Sequence, residues 1–170
     1  MYTVSKEIEF DAGHRVPNHK SKCRNPHGHR YRLRVTITGS VVTTPGASDE
    51  GMLADFGDLK TFMTYGVHDV LDHGFIVHED DRTMLMALGE ASEGDMSTPG
   101  HEYWQIVDYE QGEANRFGWK VIVVPFIPTA ENLAKWCWDQ MKERVESIGF
   151  KMYLVELWET PTSLATYNEE

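Results

Sequence analysis

Three histidines and one cysteine near the N-terminus are the residues best suited to chemistry. They lie in Phe10-Asp-Ala-Gly-His14 and in Cys23-Arg-Asn-Pro-His27-Gly-His29. His27 and His29 are two apart, so on a strand both side chains point to one face. Tyr31, Leu33, Val35 and Ile37 continue that face, while Arg30, Arg32, Arg34 and Thr36 take the other. Upstream, Ile8, Phe10, Ala12 and His14 share one parity, opposite Glu7, Glu9 and Asp11. If the two strands pair antiparallel through the 15–26 connection, all three imidazoles arrive at the same end of the same face. Three neutral imidazoles with an open fourth position are the ligand set of a catalytic zinc site. Cys23 sits beside them. As a thiolate it is a candidate base; as a fourth ligand it would close the site into a structural one. A lone histidine on an apolar face is usually a core residue, but three on one face of adjacent strands favour a metal.

The elements that must position these groups follow from periodicity and caps. Strands are expected over 3–12 and 27–39, then a loop over Thr43–Gly51 and a short strand end at Met52–Ala54. Asp55 is a suitable N-cap and Asp58 suits the first turn of a helix. Leu59, Phe62, Met63, Val67 and Val70 form its buried stripe up to about Leu71, with Gly74 as the stop. Asp80 or Asp81 caps a short helix through Leu88, and Gly89–Gly100 reads as loop. Tyr103–Tyr109 and Trp119–Val124 read as strands around a polar turn over Glu110–Gly118. A second long helix begins in Pro128-Thr-Ala-Glu-Asn132, with Thr129 as N-cap and Glu131 in the first turn. Leu133, Trp136, Cys137, Met141, Val145 and Ile148 form its stripe, which makes Cys137 an inert core thiol, and Gly149 ends it. In the last strand, Phe150–Thr160, Tyr153, Val155 and Leu157 share a face with Glu159. A carboxylate at the end of an apolar row needs a partner. The element order gives an α+β fold in a single domain over 1–170.

Composition bounds the function. At 170 residues and 41% apolar, the chain can bury one substantial core. A formal net charge of −11 argues against a general nucleic-acid binder. Yet no acidic residue lies between Asp11 and Asp49, where Arg15, Lys20, Lys22, Arg24, Arg30, Arg32 and Arg34 are found. Such a basic window suits an anionic ligand such as a phosphate chain. Lys20, Lys22 and Arg24 flank the candidate metal loop; Arg30, Arg32 and Arg34 also suit a solvated strand face. No apolar run approaches the roughly 20 residues a membrane span needs, and residues 1–7 carry no signal-peptide core. Two cysteines, Cys23 and Cys137, make no disulfide framework, so a cytoplasmic setting is expected.

Phe10–Arg15, Cys23-x3-His27-Gly-His29, Asp55-Phe56 with Leu59-Lys60, Leu71-Asp-His73, Pro128-Thr-x-Glu-Asn132 and Glu159-Thr160 occur in that order. In these motifs, from residue 5 to about 160, the chain resembles the 6-pyruvoyltetrahydropterin synthase family, and within it the 6-carboxytetrahydropterin synthases of deazaguanine (queuosine) biosynthesis. The resemblance implies a tunnelling fold, an antiparallel four-stranded sheet with two helices on one face, assembled as a homohexamer of two stacked trimers. It implies Zn2+ on His14, His27 and His29, a catalytic Cys23, an Asp72–His73 proton relay, and Glu159 as the anchor of the pterin's amino-pyrimidine edge. Without it, Asp72-His73 reads as a helix-end cap pair and Glu131 as a dipole residue; the family motif gives Thr129 and Glu131 a substrate-binding role. The implied reaction turns 7,8-dihydroneopterin triphosphate into 6-carboxy-5,6,7,8-tetrahydropterin, with release of acetaldehyde and triphosphate; Lys20, Lys22 or Arg24 of the basic window are the candidates to hold the triphosphate. The three-residue gap between Cys23 and His27 resembles the carboxy-type enzymes. A pyruvoyl-type triphosphate lyase and a catalytically silent pterin-binding module are the alternatives. The stretch 75–127 is longer than in compact members of the family and reads as an insertion.

Overall fold

In a computed structural model that describes residues 1–89 and 117–169, the elements follow as β1 (Tyr2–His14), β2 (His27–Gly39), α1 (Phe56–Met63), a π-helical segment (Thr64–His68), α2 (Asp69–Leu71), β3 (Gly74–His78), α3 (Arg82–Leu88), β4 (Val121–Val124), α4 (Ala130–Ser147), β5 (Lys151–Thr160) and β6 (Ser163–Tyr167). The hydrogen-bonded strand order is β4-β3-β1-β2-β5-β6. The described residues belong to two compact units, and β1 and β2 run through both.

The first unit takes residues 1–10, 30–69 and 130–170. Here β1 and β2 are antiparallel. The Ser5 and Thr36 hydroxyls meet at 2.8 Å, Thr38 donates to the Tyr2 carbonyl at 3.0 Å, and Arg34 donates to Glu7 at 2.6 Å. β5 and β6 extend the antiparallel run from β2, and α4 packs across β5 and β6. Leu33, Val35, Ile37, Leu133, Met141, Val145, Val155 and Leu157 are buried in this unit, as alternation on the strands and the helical stripe require. Asp55 caps α1, accepting from the Gly57 N–H at 2.6 Å. Leu33→Ala is expected to cost about 2–5 kcal/mol, as cavity-forming core truncations do; a denaturant titration with an unshifted midpoint would contradict the packing.

Several expectations change here for local reasons. The helix from residue 56 is not one α-helix: a π turn interrupts it at Thr64–His68. Ile148 lies past the end of α4 and is exposed, so the buried stripe stops at Val145. Tyr153 is exposed while Met152 and Val155 are buried. The cause is a bulge: Thr36 pairs Leu154 and Ile37 pairs Met152, leaving Tyr153 as an extra residue that switches the parity. Met52–Ala54 is not a strand. β6 was absent from the sequence-based elements and completes a hairpin across Pro161-Thr162.

The second unit takes residues 11–29 and 70–129. The end of β1 pairs β3 in parallel, from Ala12↔Gly74 to His14↔Ile76, and β3 pairs β4 in parallel. The sheet is therefore six-stranded and mixed, where four antiparallel strands were expected. Val77, Met84, Leu88 and Val121 form a small core with Phe75, Leu85 and Val123. Asp81, not Asp80, caps α3, accepting from the Met84 N–H at 3.2 Å, and Gly89 closes it at φ 84°. Gly74 is not the helix stop. It opens β3, and a side chain there would collide with Ile122; the left-handed residue is His73, at φ 58°. The strand expected at 103–109 and nearly all of the 110–118 turn lie outside the described residues, as does most of the 75–127 insertion. Among the described residues, no helix is long and apolar enough to cross a membrane.

Candidate functional site

The second unit holds the end of β1 and the start of β2, and there the three imidazoles converge. One ligand-capable nitrogen from each of His14, His27 and His29 lies within 4.8 Å of the others. Ring centroids are 4.6 Å apart for His14–His27, 5.2 Å for His14–His29 and 4.9 Å for His27–His29. His14 is buried and the other two are half-buried. Gly28, on the opposite parity, lets β1 approach: a Cβ there would sit 3.1 Å from the Ala12 carbonyl oxygen.

The donor set fits a metal ion. His14 Nδ1 lies 2.7 Å from the Pro128 carbonyl oxygen and His27 Nδ1 lies 2.8 Å from that of Asn25. A carbonyl only accepts, so each Nδ1 carries the proton and each Nε2 keeps its lone pair, the tautomer a coordinating histidine needs. Three cationic rings this close would repel one another, whereas three neutral rings around one cation do not.

Cys23 is a half-buried free thiol on the Lys22–Arg24 turn, four residues before His27. Lys20, Lys22 and Arg24 are exposed on the same connection. Asp72 and His73 follow α2. One Asp72 oxygen accepts the Asp11 N–H at 2.8 Å, and the other lies 2.6 Å from His73 Nδ1. The His73 N–H donates to the Asp11 carbonyl at 2.7 Å, and Lys120 Nζ donates to the Asp72 carbonyl at 2.8 Å. These bonds hold His73 in a left-handed conformation that non-glycine residues rarely adopt. Its imidazole is 80% exposed, so Nε2 faces outward while Nδ1 is tied to the carboxylate. Thr129 is half-buried.

Glu159 belongs to the first unit. It is the extra residue of a second bulge, between Trp158↔Leu164 and Thr160↔Ser163, and such bulges re-aim a side chain. Its charge reaches the buried Tyr31 phenol, which burial first and the Glu159 carboxylate second push far above the ordinary tyrosine range. Glu131 is exposed in the first turn of α4. Arg34 pairs with Glu7 and Glu156, Arg30 with Glu9, and Arg32 and Arg34 lie 4.1 and 5.0 Å over the Trp158 ring. These three arginines serve the sheet face. Burial pushes the Cys137 thiol well above its usual range, consistent with an inert core residue. Lys120 and the Pro128 carbonyl escaped the sequence reading, because neither a lone lysine nor a backbone acceptor leaves a pattern.

The α+β sheet that presents this imidazole triad has a tunnelling fold, by its likeness to solved structures of that class. A 6-pyruvoyl tetrahydropterin synthase of Caenorhabditis elegans has the same fold, at TM-score 0.58 and 23% identity over 99% of this chain and 96% of that one. An uncharacterized protein of Wolinella succinogenes is more similar, at TM-score 0.75 and 29% identity over 99% and 98%. The family model described as 6-pyruvoyl tetrahydropterin synthase matches residues 3–170. The 6-carboxy-5,6,7,8-tetrahydropterin synthase of Haemophilus influenzae is 30% identical over 99% of this chain and 100% of its own length. The chain belongs to the 6-pyruvoyl tetrahydropterin synthase family, and it is an enzyme of the lyase class.

Proposed function

We propose that the chain converts 7,8-dihydroneopterin triphosphate to 6-carboxy-5,6,7,8-tetrahydropterin, releasing acetaldehyde and triphosphate, as a cytoplasmic enzyme of 7-deazaguanine (queuosine) biosynthesis. The observation that carries this reading is the occurrence, in one compact unit, of the His14–His27–His29 cluster, the Cys23 turn and the Asp72–His73 pair. The relatives named as 6-carboxytetrahydropterin synthases, alike over nearly the full chain, favour the carboxy product.

His14, His27 and His29 would hold zinc, which supplies Lewis acidity toward the side-chain hydroxyls of the substrate. Cys23, as thiolate, takes the proton released from the side chain. His73, held on Asp72 through Nδ1, presents Nε2 to pass a proton on the opposite side. Glu159 accepts from the ring N–H and amino group of the pterin with its two oxygens. Thr129 and Glu131 line the pterin, and Lys22 and Arg24, with Lys20, meet the triphosphate charge. A homohexamer of two stacked trimers is the proposed assembly, with Cys23 and Glu159 of different chains meeting on one substrate.

The deciding experiment incubates zinc-loaded protein with dihydroneopterin triphosphate and identifies every product by mass spectrometry. Acetaldehyde and the 6-carboxy product are expected; a 6-pyruvoyl product without acetaldehyde would move the chain to the pyruvoyl type, and binding without turnover would make it a pterin-binding module. Asp72→Asn offers a second check. The amide keeps an acceptor for the Asp11 N–H but no longer fixes the proton on His73 Nδ1. Initial rates should fall about 10²–10⁴-fold, the usual worth of a positioned acid/base; a near-wild-type rate would remove the Asp72–His73 relay from the reaction.

A further inference from the structure

The connection between His14 and His27 is long, polar and carries Cys23, so something must fix it. Part of the answer is internal. The Val16 N–H donates to the Cys23 carbonyl at 2.8 Å, and the Asn25 N–H donates to that of Lys22 at 2.9 Å. These bonds shape the turn without saying where it sits. The outward tie comes from Arg15, the residue after His14. Its Nε and Nη2 grip the two oxygens of Asp81, both at 2.5 Å, and its Nη1 donates at 3.3 Å to the carbonyl of Arg24, next to Cys23.

Asp81 is a firm point of reference. It is only 5% exposed. It caps α3, whose Met84 and Leu88 are packed with Val77 and Val121. A buried carboxylate requires a partner, and a two-pronged guanidinium grip adds direction as well as attraction.

We infer that the Asp81–Arg15 pair is a positioning device: it references the Cys23 turn to the packed β3–α3 core and thereby sets the placement and reactivity of the thiol. Neither residue touches substrate in this scheme; both act through the turn. The catalytic part of the inference rests on the proposed role of Cys23 as base. The positioning part does not, because thiol reactivity is measured directly.

The test uses the full, zinc-loaded chain and two variants. Asp81→Asn keeps an N-cap acceptor for α3 and removes the charge; Arg15→Lys keeps the charge and removes the fork. Alkylation of Cys23 by iodoacetamide is followed against pH by peptide mass, alongside zinc content, thermal unfolding, kcat and KM. Cys137 is fully buried and does not compete in the folded chain. In Asp81→Asn the zinc content stays whole and KM is little changed. Its kcat falls about 10–100-fold, the range for residues that orient a site from behind, and the alkylation profile is displaced from that of wild type. Arg15→Lys falls between the two. An unaltered alkylation profile in both variants overturns the inference, whether kcat is retained or falls only in step with lost zinc or lost fold. If Cys23→Ala turns over at the wild-type rate, it is the proposed base that fails, and the alkylation profile of Asp81→Asn alone decides the positioning.

Discussion

Cys23→Ala should keep its full complement of metal and lose its turnover. The side chain is a half-buried free thiol on a short turn ahead of His27, and the imidazole cluster is complete without it. Removing it takes away the proposed base while leaving the His14, His27 and His29 imidazoles in place. Positioned acid/base groups contribute about 10²–10⁴-fold, so initial rates should fall within that range, with zinc by atomic absorption still near one per chain. Pterin binding, followed by fluorescence, should persist. A variant that lost zinc together with activity would instead make Cys23 a fourth ligand, and the site a closed structural one.

The second large effect is expected from the metal itself. Chelation followed by gel filtration should abolish turnover, and zinc added back should restore it. His27→Ala carries the same expectation at one residue. Its ring stands 4.6 Å from His14 and 4.9 Å from His29, and its Nδ1 is oriented by the Asn25 carbonyl. Loss of an orienting partner alone typically costs about 10–100-fold in metal affinity, so loss of the ligand should reach at least about 100-fold in a competition titration with a chromogenic chelator. Affinity should also fall on acidification, because protons compete for the same Nε2 lone pairs. Full activity in exhaustively chelated protein would end the metal-dependent account.

Much of this geometry was legible beforehand because period-2 alternation is strict on long strands. Ile8, Phe10, Ala12 and His14 on one ribbon, and His27 to Ile37 on the next, could face only one way if the ribbons paired. Caps were readable to within a residue, since short acidic side chains serve helix starts generally: Asp55 was named outright, and the cap of α3 was narrowed to Asp80 or Asp81. The losses came where one residue is added without a chemical mark. The bulge at Tyr153 turned an inward position outward, and no residue type announces it. The bulge at Glu159 changes how that carboxylate is presented. β3 was hidden because Gly74 imitates a helix stop while serving the close approach of Ile122. β6 was hidden because Ser163–Tyr167 is short and its Pro161-Thr162 turn lacks an Asn-Gly signal. The proposed relay of Asp72 and His73 came from resemblance alone, since such a pair has no period to read, while for Cys23 and Glu159 the resemblance sharpened a candidate base and a carboxylate in need of a partner.

The backbone at His73 has an evolutionary corollary. A glycine would settle into that φ of 58° more comfortably than any imidazole. Selection acting on robustness alone would therefore drift toward erasing the side chain, and if His73 moves the proton as proposed, a lineage that kept the fold but abandoned the chemistry should record its retirement early at this position.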